Sequence, residues 1–168
     1  VAGGSSSTNF FIYNITANNW TMGATLPRAV WGCAMGAWNG LVYMIGGDAD
    51  FTFGGTSSEV NIYDIATDTW TGVSSSMPTP RSAVGFAQIG SYVYVVGGWG
   101  DTAPGTNSDA TERYDIATDT WTVGPIFTIA KGDFALAPGG NYLYAIGGDA
   151  NGGAAFNPTT DVYRLALS

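Results

Sequence analysis

The 168-residue sequence predicts an all-β fold of repeated four-stranded antiparallel units, and three observations carry the prediction. Double glycines close an apolar run at Gly46-Gly47, Gly97-Gly98 and Gly147-Gly148, at spacings of 51 and 50 residues, and a tyrosine (Tyr43, Tyr94, Tyr144) sits three residues before each pair. A second tyrosine recurs at Tyr13, Tyr63, Tyr114 and Tyr163, followed seven residues later by Trp20, Trp70 and Trp121 in three of the four cases. The nine residues from Tyr63 to Thr71 recur unchanged from Tyr114 to Thr122.

Within each unit the elements follow in order. A first strand is predicted after a basic residue, over Arg28 to Met35, Arg81 to Ile89 and Lys131 to Pro138. The second is a nearly continuous apolar run such as Tyr92-Val93-Tyr94-Val95-Val96, as expected of a strand covered on both faces. The third carries the second tyrosine, as in Glu59 to Ile65, and the fourth starts near the tryptophan. Between them, Ala-Thr-Asp-Thr has the composition of a tight hairpin connection. The N-terminal segment supplies only a third strand (Thr8 to Ile15) and a fourth (Trp20 to Gly23), and the last unit stops before its tryptophan, which the Tyr163 spacing places at position 170.

A period of about 50 residues, the glycine pair, the Tyr-to-Trp step and the openings Pro27-Arg28 and Pro80-Arg81 resemble kelch repeats. The third unit departs from the pattern with Ala130-Lys131, and the first copy carries Tyr13-Asn14 where the others have Tyr-Asp. The resemblance implies kelch-type β-propeller blades, about three per chain: 1–26 a partial blade, 27–79 and 80–130 whole blades, and 131–168 a blade lacking its outer strand. Most of the recurring residues then read as scaffold, the aromatics packing blade on blade and the glycines permitting close backbone approach.

Propellers have 4–8 blades, so about three leave the ring open. Two readings stay open at this point. Two chains join head to tail into a six-bladed ring, Trp20 of one completing the last blade of the other; or the missing blades belong to a longer chain, which Val1, with no charged leader, would also fit. Unclosed growth into a filament is a third.

Composition narrows the function classes. The net charge of −8, from 13 acidic and 5 basic residues, excludes the basic stripe that nucleic acid requires and disfavours anionic membranes. No apolar run approaches the roughly 20 residues of a membrane-spanning helix. With no histidine and a single cysteine, Cys33, neither a disulfide nor a Cys/His metal site is expected, and no cofactor. Abundant Gly, Ser, Thr and Asn with few Lys suggest a bacterial extracellular or cell-surface protein.

Candidate binding residues cluster on the face that carries the long loops between second and third strands. Arg28, Arg81 and Lys131 are expected as an arc of cations near the channel mouth, suited to a small anion or sugar acid, or alternatively spent on loop carbonyls. Asp48, Asp101 and Asp149 stand in the loops, with Asp50 and Asn151. Trp99, Phe51, Phe53 and Phe156 would serve as a sugar-stacking platform or as loop packing. The sequence thus points to a non-catalytic binding or interaction module, directed at carbohydrate, a small anion or a second copy of itself. A metal-free sugar-acid isomerase or mutarotase and a structural module assembling through open blade faces are the alternatives. No catalytic set is identifiable.

Overall fold

The computed structural model describes residues 3–4, 7–49, 55–100, 106–150 and 157–167. The strands are β1 (Phe11–Asn14), β2 (Asn19–Met22), β3 (Ala34–Trp38), β4 (Leu41–Ile45), β5 (Val60–Asp64), β6 (Thr69–Ser74), β7 (Gly85–Ile89), β8 (Tyr92–Val96), β9 (Thr111–Asp115), β10 (Thr120–Val123), β11 (Ala135–Gly139), β12 (Tyr142–Ile146) and β13 (Val162–Ala166). They form four antiparallel meanders in chain order: β1-β2, β3-β4-β5-β6, β7-β8-β9-β10 and β11-β12-β13. The fold is the predicted all-β succession of propeller blades.

Turn chemistry fixes the registers. Asn39 and Gly40, at φ 48° and 80°, make the two-residue turn between Trp38 and Leu41. Both central residues are left-handed, as a type I′ hairpin requires. Gly90 and Gly140, at φ 59° and 56°, open the equivalent turns in the next two sheets. β4 buries residues of both faces at its end, Tyr43, Met44 and Ile45, and β8 does so with Val95 and Val96, whereas in β12 only Leu143 and Ala145, on one face, are buried.

The first strands begin later than the sequence suggests, at Ala34, Gly85 and Ala135. Three residues upstream of each start, Trp31, Ser82 and Gly132 make an isolated backbone bridge to Asp48, Trp99 and Asp149. The following Gly32, Ala83 and Asp133 are left-handed at φ 62°, 50° and 52°, which interrupts the extended backbone.

Aligning the sheets by hydrogen bonding corrects two sequence equivalences. Gly46, Gly97 and Gly147 receive equivalent positions on β4, β8 and β12, and their N–H groups donate to the carbonyls of Glu59, Ala110 and Asp161. On that register Leu165, not Tyr163, matches Tyr63 and Tyr114, because Val42, Val93 and Leu143 pair with Tyr63, Tyr114 and Leu165. Likewise Arg81 and Lys131 lie four residues before β7 and β11, and the residue four before β3 is Val30. Arg28 lies two residues further out.

The core lies in the junctions between successive sheets. Phe10, Leu26, Val30, Met44 and Tyr63 fill the first; Tyr43, Ile45, Val60, Val84, Val93 and Tyr114 belong to the second; Val96, Phe127, Phe134 and Leu143 to the third. Innermost strands β3, β7 and β11 meet one another, and the Gln88 amide of β7 bridges to β3, accepting from Ala37 N–H at 2.9 Å and donating to its carbonyl at 2.7 Å.

A three-residue lock closes two of the junctions. The Tyr63 hydroxyl donates to Asp68 at 2.6 Å, Asp68 accepts the Ala24 N–H at 2.8 Å, and Trp70 Nε1 donates to the Ala24 carbonyl at 3.2 Å. One blade on, Tyr114, Asp119 and Trp121 repeat this against Ser75, with Trp121 Nε1 at 2.8 Å from its carbonyl. Each lock therefore reaches backwards, from one sheet to the outer edge of the sheet before it. The left-handed turn residues Asp68 and Asp119, at φ 52° and 54°, aim their carboxylates at that edge.

Candidate interaction face

The three predicted cations do not form an open arc. Each head group donates to the carbonyl of the first glycine of its own sheet's pair. Arg28 Nη2 lies 2.5 Å from Gly46 O, Arg81 Nη1 2.5 Å from Gly97 O, and Lys131 Nζ 2.8 Å from Gly147 O. Arg28 reaches the same target as the others in spite of its two-residue offset.

What surrounds each cation differs. Arg81 is wholly buried, pairs with Glu112 at 2.5 Å and also donates to Ala110 O at 3.1 Å. Lys131 is buried, donates to Thr159 Oγ1 at 2.8 Å and lies 5.0 Å from the Tyr163 ring centroid. Tyr163 occupies the position of Glu112, so a charge pair in one blade becomes a cation–π contact in the next. Arg28 is partly exposed and pairs with Glu59 at 3.3 Å. Burial lowers the pKa of Arg28 and of Arg81, and their carboxylate partners oppose that shift.

Asp48, Trp99 and Asp149 occupy one repeat position, just after the glycine pair. Each is the middle rung of a short ladder: Trp31–Asp48–Thr56, Ser82–Trp99–Asn107 and Gly132–Asp149–Pro158. All three side chains are buried. Asp149 accepts the Asn157 N–H at 2.9 Å, and Trp99 meets Trp31 edge-on at 5.4 Å between centroids. A Cβ on Gly132 would come within 2.4 Å of Trp99 Nε1, so the indole lies on the backbone of the next blade. Trp99 is therefore junction packing at this face. Asp133, beside Asp149, has its carboxyl pushed up by burial and then by the charge of Asp149. Asp50, Phe51, Phe53, Asp101, Asn151 and Phe156 lie outside the described residues.

The structure brings in residues that the sequence analysis missed. Glu112 and Glu59 neutralise Arg81 and Arg28, and Asn107 Nδ2 ties Ala130 O to Asp149 O across two blades at 3.3 and 3.1 Å. Their positions repeat but their residue types do not, Glu112 being matched by Asn61 and Tyr163 and Asn107 by Thr56 and Pro158, so no periodic signal marked them. Cys33, next to Arg28, is a partly buried thiol whose pKa burial raises.

Four-stranded meanders joined through glycine pairs and backward-reaching tyrosine–tryptophan locks define a β-propeller blade array. The Kelch motif matches residues 32–77 and 80–128. The chain belongs to the kelch-repeat family. It is 27% identical over 168 residues to Kelch-like protein terF of Aspergillus terreus, covering 94% of this chain and 34% of that protein. It is 29% identical over 162 residues to beta-scruin of Limulus polyphemus (91% and 17%), and 28% identical over 160 residues to Kelch-like protein 36 of Rattus norvegicus (90% and 25%). The solved structure of YjhT superposes with a TM-score of 0.81 at 17% identity, covering 99% of this chain and 58% of that one. The chain thus spans about a third or less of the length of these curated relatives.

Proposed function

We propose that this chain is a non-catalytic protein-interaction module whose partner is bound by the connections between β4 and β5, β8 and β9, and β12 and β13. The observation that carries the reading is the commitment of the cations beneath that face. Arg81 and Lys131 are buried and bonded to carbonyls, which supplies rigidity to a loop platform rather than a charged ligand pocket. Membership of the kelch-repeat family supports the same class. A sugar acid or other small anion is the finer form of the proposal, and only the partly exposed Arg28 offers it a cation among these three. Secretion to a bacterial surface remains part of the proposal on the strength of composition. Association of chains through the open end blades is its other part.

The test replaces each of the three loops by Gly-Ser of equal length, after a partner has been captured and purified. Titration calorimetry should show at least a tenfold weaker complex for the loop variants, with unchanged melting temperature. Equal affinity with all three loops replaced would overturn the reading. Titration with glucuronate decides the finer form: no binding at millimolar concentration removes the anion ligand.

A further inference from the structure

The turn that joins β3 to β4 is Asn39-Gly40, and among the described residues it is the one place where glycine follows asparagine. Every other described asparagine is followed by a residue with a side chain. The equivalent turns of the next two blades are Gly90-Ser91 and Gly140-Asn141, so the pair belongs to this blade alone. Asn39 and Gly40 are both exposed. No hydrogen bond to a described residue engages the Asn39 amide or the Gly40 N–H, and nothing stands within 4 Å of where a Gly40 Cβ would lie. Other asparagines are committed: Asn14 Oδ1 accepts the Ala17 N–H at 2.9 Å, Asn107 Nδ2 donates to two carbonyls, and Asn61 is buried in β5.

We propose that Asn39 is a site of spontaneous deamidation, whose isoaspartyl product unseats the β3-β4 hairpin and whose aspartyl product leaves it in place. The Gly40 nitrogen attacks Asn39 Cγ. A nitrogen–Cγ bond forms, the Cγ–Nδ2 bond breaks, and Nδ2 leaves as ammonia with the proton from the Gly40 nitrogen. Water then opens the five-membered imide. Hydrolysis of the new nitrogen–Cγ bond gives aspartate on the original main chain. Hydrolysis of the bond to the Asn39 main-chain carbonyl carbon gives isoaspartate, whose main chain runs through Cβ. Closing the imide turns Asn39 out of its left-handed conformation, so fraying of the hairpin tip gates the reaction.

The two products differ in what the turn can hold. Both turn residues are left-handed, at φ 48° and 80°, and Asp-Gly meets that requirement as Asn-Gly does. Isoaspartate lengthens the link by a methylene, and the turn no longer sets Trp38 opposite Leu41. Two further contacts depend on that register. The Gly40 carbonyl accepts the Ile65 N–H at 3.1 Å, as the Ser91 and Asn141 carbonyls accept from Ile116 and Leu167, which ties the inner hairpin to the end of the third strand. Ala37, two residues before Asn39, is held at both N–H and carbonyl by Gln88 of the next blade. The lesion therefore reaches a blade junction. It is independent of any bound partner.

The test ages the folded chain in mildly alkaline buffer and digests it with trypsin. Asn39 is released in residues 29–81, apart from 132–164, which carries the Asn151-Gly152 pair outside the described residues. Ammonia loss, read by mass spectrometry, and isoaspartate, read by enzymatic methylation of isoaspartyl carboxylates, should appear at Asn39 several-fold faster than at Asn61 or Asn107. The isoaspartyl form, separated by chromatography, should melt below the fresh chain and lose hydrogen-exchange protection first in β3 and β4. Asn39→Asp should melt with the fresh chain. Asn39→Gly, which also suits a type I′ turn, should age without loss of melting temperature. Conversion at Asn39 no faster than at Asn61 overturns the proposal. So does an isoaspartyl form as stable as the aspartyl one, or an equal loss in aged Asn39→Gly, which places the damage elsewhere.

Discussion

At the scale of single residues, the fold tolerates different solutions to one problem. A cation must cover the first glycine carbonyl, and a counterweight must keep it there. Arg81 uses Glu112, and Lys131 uses Tyr163 and Thr159. Removing one member of the buried pair leaves a charge without its partner, so Arg81→Met should cost about 3–5 kcal/mol. Arg81→Met with Glu112→Leu should recover most of that in urea denaturation, because paired replacement removes both desolvated charges. If the double variant is no better than the single one, Arg81 acts chiefly through its carbonyl bonds. The glycine pairs offer a second contrast. Gly97 sits at φ 60°, and its Cβ would meet Lys131 O at 2.5 Å, whereas at Gly147, φ 69°, the nearest atom is Thr159 O at 3.5 Å. Gly147→Ala should therefore cost only the left-handed strain, about 1–2 kcal/mol, and Gly97→Ala clearly more. Equal losses would contradict the close approach of neighbouring blades.

At the scale of elements, the Tyr–Asp–Trp lock decides both stability and its pH limits. Trp70 and Trp121 are half-buried against the core, so Trp70→Ala or Trp121→Ala should cost less by calorimetry than the roughly 3–5 kcal/mol of a fully buried aromatic. The lock titrates at both ends of the scale. The Tyr63 hydroxyl bond and the Ala24 N–H hold the Asp68 carboxyl below its usual range. For Asp119, burial acts to raise the pKa, but donors from Ser74, Ser75 and Tyr114 outweigh it. A depressed carboxyl contributes stability above its unfolded value, near 3.9, and loses it as pH falls through the folded value. Tyr63 is pushed up to about 12, first by burial and then by Asp68. Its contribution is present below the unfolded tyrosine value, near 10, and is lost as pH rises toward 12. Melting temperature should thus fall below about pH 4 and above about pH 10. Asp68→Asn with Asp119→Asn should flatten the acid limb, and an unchanged acid limb would assign it elsewhere.

At the scale of the whole molecule, a linear series of sheets should unfold from its ends. Repeat arrays hold together by nearest-neighbour contacts. Amides of β4, β5, β8 and β9 should exchange slowest, and those of the wholly exposed β2 fastest, in dilute hydrogen-exchange experiments. Protection of β2 equal to that of β8 would show a single cooperative unit. The series itself was legible in the sequence, since glycine pairs and the Tyr-to-Trp step report backbone geometry and blade packing directly. Register was less so. Counting from Pro27-Arg28 and from Tyr163 misplaced two positions by two residues each, because a tyrosine or a cation does not reveal which hydrogen-bonded rung it occupies. The site was least legible. Arg81 and Lys131 read from the sequence as channel-mouth cations, open to an anion or spent on loop carbonyls, and spacing cannot say that a side chain turns inward to the carbonyl of a glycine pair. Glu112 and Asn107 carry no periodic mark at all.

Trp70 and Trp121 both bind a main-chain carbonyl, and the residues bearing it differ, Ala24 in one case and Ser75 in the other. Every amino acid has that carbonyl. A gene segment encoding one blade can therefore be copied in tandem and join its neighbours at once, with no compensating change on either side. Mutation can then alter the residue at the joint freely while the joint persists. The nine residues from Tyr63 and from Tyr114 are identical while the residues that receive them, Ala24 and Ser75, differ, which is the pattern such copying would leave.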